Sequence, residues 1–179
     1  MKTMKRKITL STSEILKLVE TLGSTSPIER ERARKRLVAA GHEAVIPLLH
    51  KLKAPSEHVC WEAAKALSEI KDPASANALA ETLDHASHDV RWLAAEGLIA
   101  VGSEGLKQTL IALLTKADSN EVREGAHHVI SHFAHRMSGE FLLPLFKLFD
   151  DFEPAVIVPL AALDALHELQ NRTLNSHKK

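Results

Sequence analysis

The 179-residue sequence has no tyrosine and a single cysteine, Cys60, so no intramolecular disulfide bond can form. No segment approaches the length of about 18 apolar residues that a membrane span requires. The segment before Ser13 is basic, but it lacks the apolar core of a signal peptide. These absences predict a cytoplasmic protein whose fold depends on packing rather than on covalent cross-links.

The sequence also lacks a net charge, because 23 lysines and arginines balance 23 aspartates and glutamates. This balance argues against a general affinity for nucleic acid or membranes. The charges are unevenly divided, since residues 1–53 carry 12 basic and 5 acidic side chains, whereas residues 54–179 carry 11 basic and 18 acidic ones. A charge dipole along the molecule is therefore expected, either as chance drift of surface residues or as a field that steers a partner.

One pattern occurs four times along the chain. Its serines are separated by 30, 31 and 32 residues: Ser26, Ser56, Ser87 and Ser119. Alanine follows each serine by seven residues and an aliphatic residue follows it by eleven. A fixed period of this size is typical of stacked supersecondary units, and the small alanines would allow neighbouring helices to approach closely.

Each repeat has the pattern of two helices. In the third repeat Ser87 is a suitable N-cap, apolar residues recur at spacings of three and four, and Gly102 suits a C-terminal cap. The pattern predicts an all-α fold, an α-α superhelix of about five helix pairs, with flexible segments at residues 1–10 and 171–179. The predicted repeats within one domain, 11–170, are 11–41, 42–72, 73–102, 103–135 and 138–170.

Three motifs resemble those of a known family: Val90-Arg91-x-x-Ala94-x-x-x-Leu98, Val122-Arg123-x-x-Ala126 and the turn Ile70-Lys71-Asp72-Pro73. They are similar to the short HEAT-like repeat of the phycocyanobilin-lyase type, whose turn has glycine where this sequence has Lys71. The resemblance implies a right-handed superhelix in which the second helix of each pair lines a concave groove.

The same family includes adapters, pigment lyases and a di-iron hydroxylase, so an enzyme or enzyme subunit is the alternative to an adapter. The hydroxylase binds its irons through His-Glu dipeptides five and six residues after the repeat serine. In this sequence none of the corresponding dipeptides is His-Glu. They are Glu31-Arg32, Trp61-Glu62, Trp92-Leu93 and Glu124-Gly125. We therefore expect a non-enzymatic protein with no catalytic residues and no cofactor.

The groove implied by the resemblance would be lined by the fifth and ninth residues after each serine. These residues are Glu31 and Lys35, Trp61 and Lys65, Trp92 and Glu96, and Glu124 and His128. Two tryptophans among charged residues are typical of a recognition hot spot for a protein or peptide. The alternative is that both indole rings fill the seams between repeats. The leading hypothesis is a protein-interaction scaffold that binds its partner in this groove.

Two further alternatives concern charged clusters. The basic run from Arg30 to Arg36 could bind nucleic acid, although it covers one helix and has no aromatic residue within it. His128, His132 and His135 share a helix face at spacings that suit zinc, but no carboxylate or cysteine nearby completes a ligand set. A solvated polar face is the preferred interpretation of these histidines.

The last predicted repeat is unusually apolar for the end of a solenoid. The stretch 141–149 (FLLPLFKLF) has one charged residue, and the stretch 155–163 (AVIVPLAAL) has none. Exposed apolar patches mark interfaces, so this repeat predicts a homodimer or a stable contact with another protein. Alternatively, the last two helices bury each other. The candidate self-association residues are Phe141, Leu142, Leu145, Phe146, Phe149, Ile157 and Leu160.

Overall fold

The computed structural model describes residues 10–136, 139–149 and 153–176, and the first nine residues lie outside it. Across these described ranges the chain is helical and contains no strand, which confirms the all-α prediction. The helices are α1 (Thr12–Thr21), α2 (Pro27–Ala40), α3 (Val45–Lys51), α4 (Glu57–Ile70), α5 (Ala76–Thr82), α6 (His88–Val101), α7 (Ser103–Thr115), α8 (Asn120–Ala134), α9 (Leu143–Leu148) and α10 (Pro154–Ser176).

The helices are stacked as pairs, with the first and second helices of successive pairs in two layers. The second helices α2, α4, α6 and α8 pack against one another in order, and each also packs against the first helix of its own pair. In the other layer α1 contacts α3, and α5 contacts α7. This arrangement is the predicted α-α solenoid.

The repeat serines mark the beginnings of the second helices, but they do not all act in the same way. The hydroxyl groups of Ser26 and Ser119 accept backbone N–H groups of the first turn at 3.4 and 3.2 Å. The hydroxyl of Ser87 instead donates to the Glu57 carboxylate of the preceding repeat at 2.6 Å, and it makes no capping bond. The expected cap is therefore replaced by a bond between repeats.

The fourth residue after each serine holds the preceding loop in place. In three repeats this residue is an arginine, and its guanidinium donates to loop carbonyls; Arg91, for example, reaches the oxygens of His85 at 2.9 Å and Ala86 at 3.0 Å. In the second repeat the residue is Cys60, and its sulfur donates to the carbonyl of Ala54 at 3.1 Å. Burial raises the pKa of the Cys60 thiol, so the side chain serves as a buried hydrogen-bond donor.

The core is continuous through the stack and contains the small residues that the sequence placed there. The repeat alanines Ala33, Ala63, Ala94 and Ala126 are at most 2% exposed. A first cluster of buried apolar side chains extends from α1 to α6 and includes Ala112 of α7 and Val122 and Val129 of α8, and a second joins α7, α8, α9 and α10.

The C-terminal pair departs from the regular stacking. The short helix α9 packs against α8, whereas the long helix α10 lies chiefly against α7, a first-layer helix. Helix α10 also continues to Ser176, so residues 171–176 of the predicted flexible tail are helical, and residues 177–179 lie outside the described residues. Pro144 is in the first turn of α9, and Pro159 lies inside α10.

The contact between α6 and α7 requires glycine at position 105. A β-carbon there would lie 1.9 Å from the carbonyl oxygen of Leu98, so one helix would have to move. We expect Gly105→Ala to lower the free energy of unfolding by about 3 kcal/mol, measured by urea denaturation followed by circular dichroism. Gly23→Ala is the matched control, because its β-carbon would meet no atom closer than 3.4 Å. Equal destabilisation by the two substitutions would contradict this account.

Candidate functional site

The eight predicted groove residues lie on the second helices, and none of them is fully buried. The face that these residues share on α2, α4, α6 and α8 is called the second-helix face below. At its N-terminal end, the exposed Glu31 and Lys35 form an ion pair at 2.5 Å on α2. On α4, Lys65 lies 3.5 Å from the carboxylate of Glu69. Each pair joins two residues of the same helix, so neither pair connects one repeat to the next.

The two tryptophans differ in their surroundings although they share a repeat position. Trp61 is half-buried and packs against the first core cluster. The guanidinium of Arg34, from the preceding repeat, lies 5.5 Å from the centre of the Trp61 ring. This ring therefore occupies the seam between α2 and α4 and offers little surface to a partner.

A buried ion pair beside Trp61 was missed by sequence reasoning. The Glu62 side chain is 7% exposed, and its carboxylate accepts from Arg34 at 2.6 Å and from Arg30 at 3.4 Å. A signal was present in the repeats, because Arg34, eight residues after Ser26, occupies the position that is Ala64 and Ala95 in the next two repeats. This network links α2 to α4 and withdraws two arginines from the basic run at 30–36.

Trp92 has the opposite environment and is 48% exposed. One face of its indole packs against the imidazole of His128, with the ring centres 4.3 Å apart. The imidazole is held in turn by the Glu96 carboxylate, 2.8 Å from its Nε2 atom. The ring is thus fixed in orientation by α8 while much of its surface faces solvent, which is the arrangement of a preformed anchor.

A small cleft of about 110 Å³ opens beside Trp92, between α6 and α8. The residues that line it include His88, Trp92, Ala95 and Gly125. The Glu124 side chain is 60% exposed and lies 3.9 Å from Arg91, and both residues also line the cleft. The cleft therefore combines an aromatic surface with the carboxylate of Glu124, while the Glu96 carboxylate reaches it only through its contact with His128.

The three histidines considered for zinc are separately engaged. His128 pairs with Glu96, and the Nδ1 of His135 lies 2.8 Å from the carbonyl oxygen of Ser131. The His132 ring packs edge-on against Phe133. Burial, with a contribution from the nearby Arg136 charge, lowers the pKa of His132 and favours its neutral form. In the parts of the chain that the structure describes, no group of three or more His, Cys, Asp and Glu could hold a metal ion.

A larger cleft, of about 650 Å³, lies on the opposite layer between α5 and α7. Its floor includes Ala80 and Ala112, and its rim carries an ion pair of Lys116 with Asp84 at 3.0 Å. Hydrogen bonds from Ser119 and Lys116 lower the pKa of Asp84. The rim charges are mixed in sign and already paired, so this cleft selects no class of ligand by charge.

The predicted self-association residues fall into three groups by burial. Leu142 and Leu145 are at most 1% exposed and belong to the second core cluster, so they present no surface to another molecule. Leu160 is 69% exposed. The other four residues are half-buried: Phe141, Phe146, Phe149 and Ile157. The side chains of α10 thus carry most of the apolar surface left open at this end.

Comparisons with known proteins agree with the repeat architecture. Residues 15–99, just under half of the chain, match the family of HEAT repeats, which supports a HEAT-like repeat protein without identifying the subtype. No curated protein matches the sequence significantly.

Several solved structures share the general arrangement. A designed armadillo repeat protein in complex with the peptide (KR)4 is 22% identical, with 88% of each chain covered and a TM-score of 0.46. Another designed armadillo repeat protein is 20% identical, with 87% of this chain and 82% of that chain covered and a TM-score of 0.44. An engineered protein is also 20% identical, with coverage of 87% and 79% and a TM-score of 0.47. Superpositions this loose carry no argument about ligands.

A search for membrane-spanning helices was also negative. Among the helices in the described ranges, none is both long and apolar enough to cross a bilayer.

The buried and exposed ion pairs of this face should differ in their contribution to stability. We expect Glu62→Gln to lower the free energy of unfolding by about 3 kcal/mol, because Arg34 would lose its buried counter-charge. Glu31→Gln, which removes the exposed partner of Lys35, should leave stability unchanged. Thermal and urea unfolding of both variants would check this, and a stable Glu62→Gln variant would show that the network is dispensable.

Proposed function

We propose that this chain is a non-enzymatic scaffold that binds a protein or peptide along the second-helix face. The observation that carries the proposal is the half-exposed indole of Trp92, held by His128 beside an open cleft. A large aromatic side chain that is fixed before binding loses little entropy when a partner covers it. Such residues supply most of the affinity at interfaces.

The charges around Trp92 favour a partner segment with a basic side chain. The carboxylates of Glu96 and Glu124 lie beside the indole, and both side chains are at least 44% exposed. A lysine or arginine of the partner could therefore contact the face of the ring and a carboxylate together.

Helix α2, at the opposite end of the stack, has a small excess of exposed positive charge, because Arg32, Lys35 and Arg36 outnumber Glu29 and Glu31. This polarity would set the direction in which a charged segment binds.

Four other residues of the second-helix face have a secondary role in binding: Trp61, Lys65, Glu31 and Lys35. Trp61 contributes through the seam that it fills, which keeps α2 and α4 in register, while the charged residues extend the surface toward the N-terminal end. The subtype of repeat proposed is the phycocyanobilin-lyase type, on the Val-Arg motifs at 90–91 and 122–123. The proposed location is the cytoplasm, and the proposed single domain, predicted over 11–170, extends to the end of α10 at Ser176.

The two alternative functions receive less support. A nucleic-acid site on α2 would be reduced to Arg32, Lys35 and Arg36, because Arg30 and Arg34 already bind the buried Glu62. An enzyme of the lyase or hydroxylase kind needs a constellation of reactive groups. The strongest cluster on the second-helix face, Glu96 with His128, packs against an indole rather than facing a nucleophile or a metal site.

Self-association through the C-terminal unit is a further part of the proposal. The apolar side chains that α10 leaves exposed, with Leu160 the most exposed at 69%, support it. A homodimer formed in this way would leave the second-helix face open.

The role of Trp92 can be tested with peptides selected from a random display library against the wild-type protein. We expect the selected peptides to be rich in lysine and arginine. Trp92→Ala should weaken their binding at least about 30-fold, as measured by fluorescence anisotropy, because it removes the anchor surface. Glu124→Gln should weaken binding to a smaller degree and reduce its dependence on salt.

Leu160→Ala is the control, since it truncates an apolar side chain that is even more exposed than Trp92, at 69% against 48%, and lies away from the second-helix face. It should leave peptide affinity unchanged. The proposal is wrong if no peptides are enriched, or if Trp92→Ala and Leu160→Ala have the same effect while both variants retain their helicity.

A further inference from the structure

Helix α10 has two apolar faces, and the body of the protein covers one of them. Val158, Ala162 and Ala165 are at most 3% exposed and pack into the second core cluster. Val156 and Leu160, on the other side, are 64% and 69% exposed. Leu163 follows on that outer side at 38%, and Leu174, near the end of the helix, is 63% exposed. The 23-residue helix is therefore built with a surface that the described part of the chain leaves uncovered.

The outer residues are spaced as in a coiled coil. Val156, Leu160, Leu163 and His167 are separated by four, three and four residues. This is the alternation of a and d positions in a heptad, which places the side chains in one seam along the helix. The seam lies opposite the buried face, so a second helix could pack against it without displacing α7 or α9.

The geometry points to an antiparallel pairing of α10 with α10 of a second copy of this chain, over residues 156–167. This inference deepens the self-association proposed above and rests on it. An antiparallel two-fold axis would place Leu160 of each copy against Leu163 of the other. Val156 of each copy would then face His167 at the rim of the contact. The seam is thus complementary to itself, as a two-fold interface requires.

The charges on α10 favour this orientation over a parallel one. Glu153 lies at the start of the helix, and in sequence it follows Asp150 and Asp151. Arg172 lies in the last turns, and Lys178 and Lys179 follow it in sequence. Parallel helices would align their dipoles and bring Glu153 of one copy near Glu153 of the other, whereas antiparallel helices oppose their dipoles and bring Glu153 near Arg172, which also pairs with Glu168 of its own helix.

The seam itself carries no charge that would oppose a second copy. From Ala155 to Leu163 the sequence has no ionisable residue, and Asp164 is the first one after it. Residues 156–167 span only about 18 Å of helix, so the contact is short. We expect a reversible dimer with a Kd of about 10 μM rather than an obligate one.

Sedimentation velocity and equilibrium runs on the full chain, over about 1 to 100 μM, would measure the association. The wild type should change from monomer to dimer in this range. Leu160→Asp should raise the Kd at least about 30-fold, because each copy would bury an unpaired carboxylate in the seam. Val156→Lys provides a second disruption, and circular dichroism would confirm that both variants are folded.

Leu174→Asp is the matched control. This leucine has a similar exposure on the same helix, but it lines a cleft with Ser103 and Lys107 of α7 and lies outside the proposed overlap. Its Kd should stay within about 3-fold of the wild-type value. A dimer lost equally in Leu174→Asp would overturn the proposed overlap, and a dimer retained in Leu160→Asp would overturn the proposed surface.

Cysteine cross-linking would test the orientation in a Cys60→Ser background. Mixing the Leu160→Cys and Leu163→Cys proteins under mild oxidation should give a mixed disulfide dimer in higher yield than either protein alone. Efficient cross-linking of each protein with itself would instead indicate parallel helices and overturn the inference. A wild type that remains monomeric at about 100 μM would also overturn it, including the case in which α10 binds a different protein.

Dimerisation through α10 and peptide binding on the second-helix face can be tested separately. The Leu160→Asp monomer should bind a selected peptide as tightly as the wild type, since Trp92 lies on α6. Loss of peptide binding in Trp92→Ala, with the dimer intact, would show that the two surfaces act separately.

Discussion

The fold depends on one constraint: each helix pair has an apolar face that only the next pair can bury. The contact is made mainly between successive second helices, and the small side chains of Ala33, Ala63, Ala94 and Ala126 allow it. Because every pair relies on its neighbour, local features serve the stacking. The arginine, or Cys60, at the fourth position ties each loop to its helix, so that the next pair meets a surface of fixed shape.

At each end of the stack, one helix pair has no further pair to bury its outer face. The two ends differ in how that face is treated. At the N-terminal end, α1 begins with a capping box of Ser11 and Glu14, and its outer side is exposed. At the C-terminal end, α10 moves across to α7 and closes the second core with Val158 and Ala162. The length of α10 then leaves its outer seam uncovered, which is why an apolar surface appears at the end of a solenoid.

The features that could be predicted from the sequence are those that recur in every repeat. The features that could not be predicted are those in which neighbouring repeats differ. The period, the helices and the buried alanines follow from spacing alone. Trp61 and Trp92 have the same repeat position, yet Arg34 faces the first and His128 faces the second. Which indole stays open is therefore decided by a side chain about 30 residues away. The packing of α10 against α7 could not be predicted either, because the apolar pattern of α10 fits a helix with one covered face as well as a helix with two.

The separation of the two proposed surfaces has a consequence for binding. The Trp92 cleft belongs to α6 and α8 of one layer, whereas α10 stacks on α7 of the other. Two copies joined through α10 would therefore each keep an open cleft. A partner that carries two basic segments would meet both clefts at a high effective concentration, and its affinity would exceed that of either cleft alone. A weak dimer and a small cleft would then suffice for a scaffold, since neither contact has to be strong by itself.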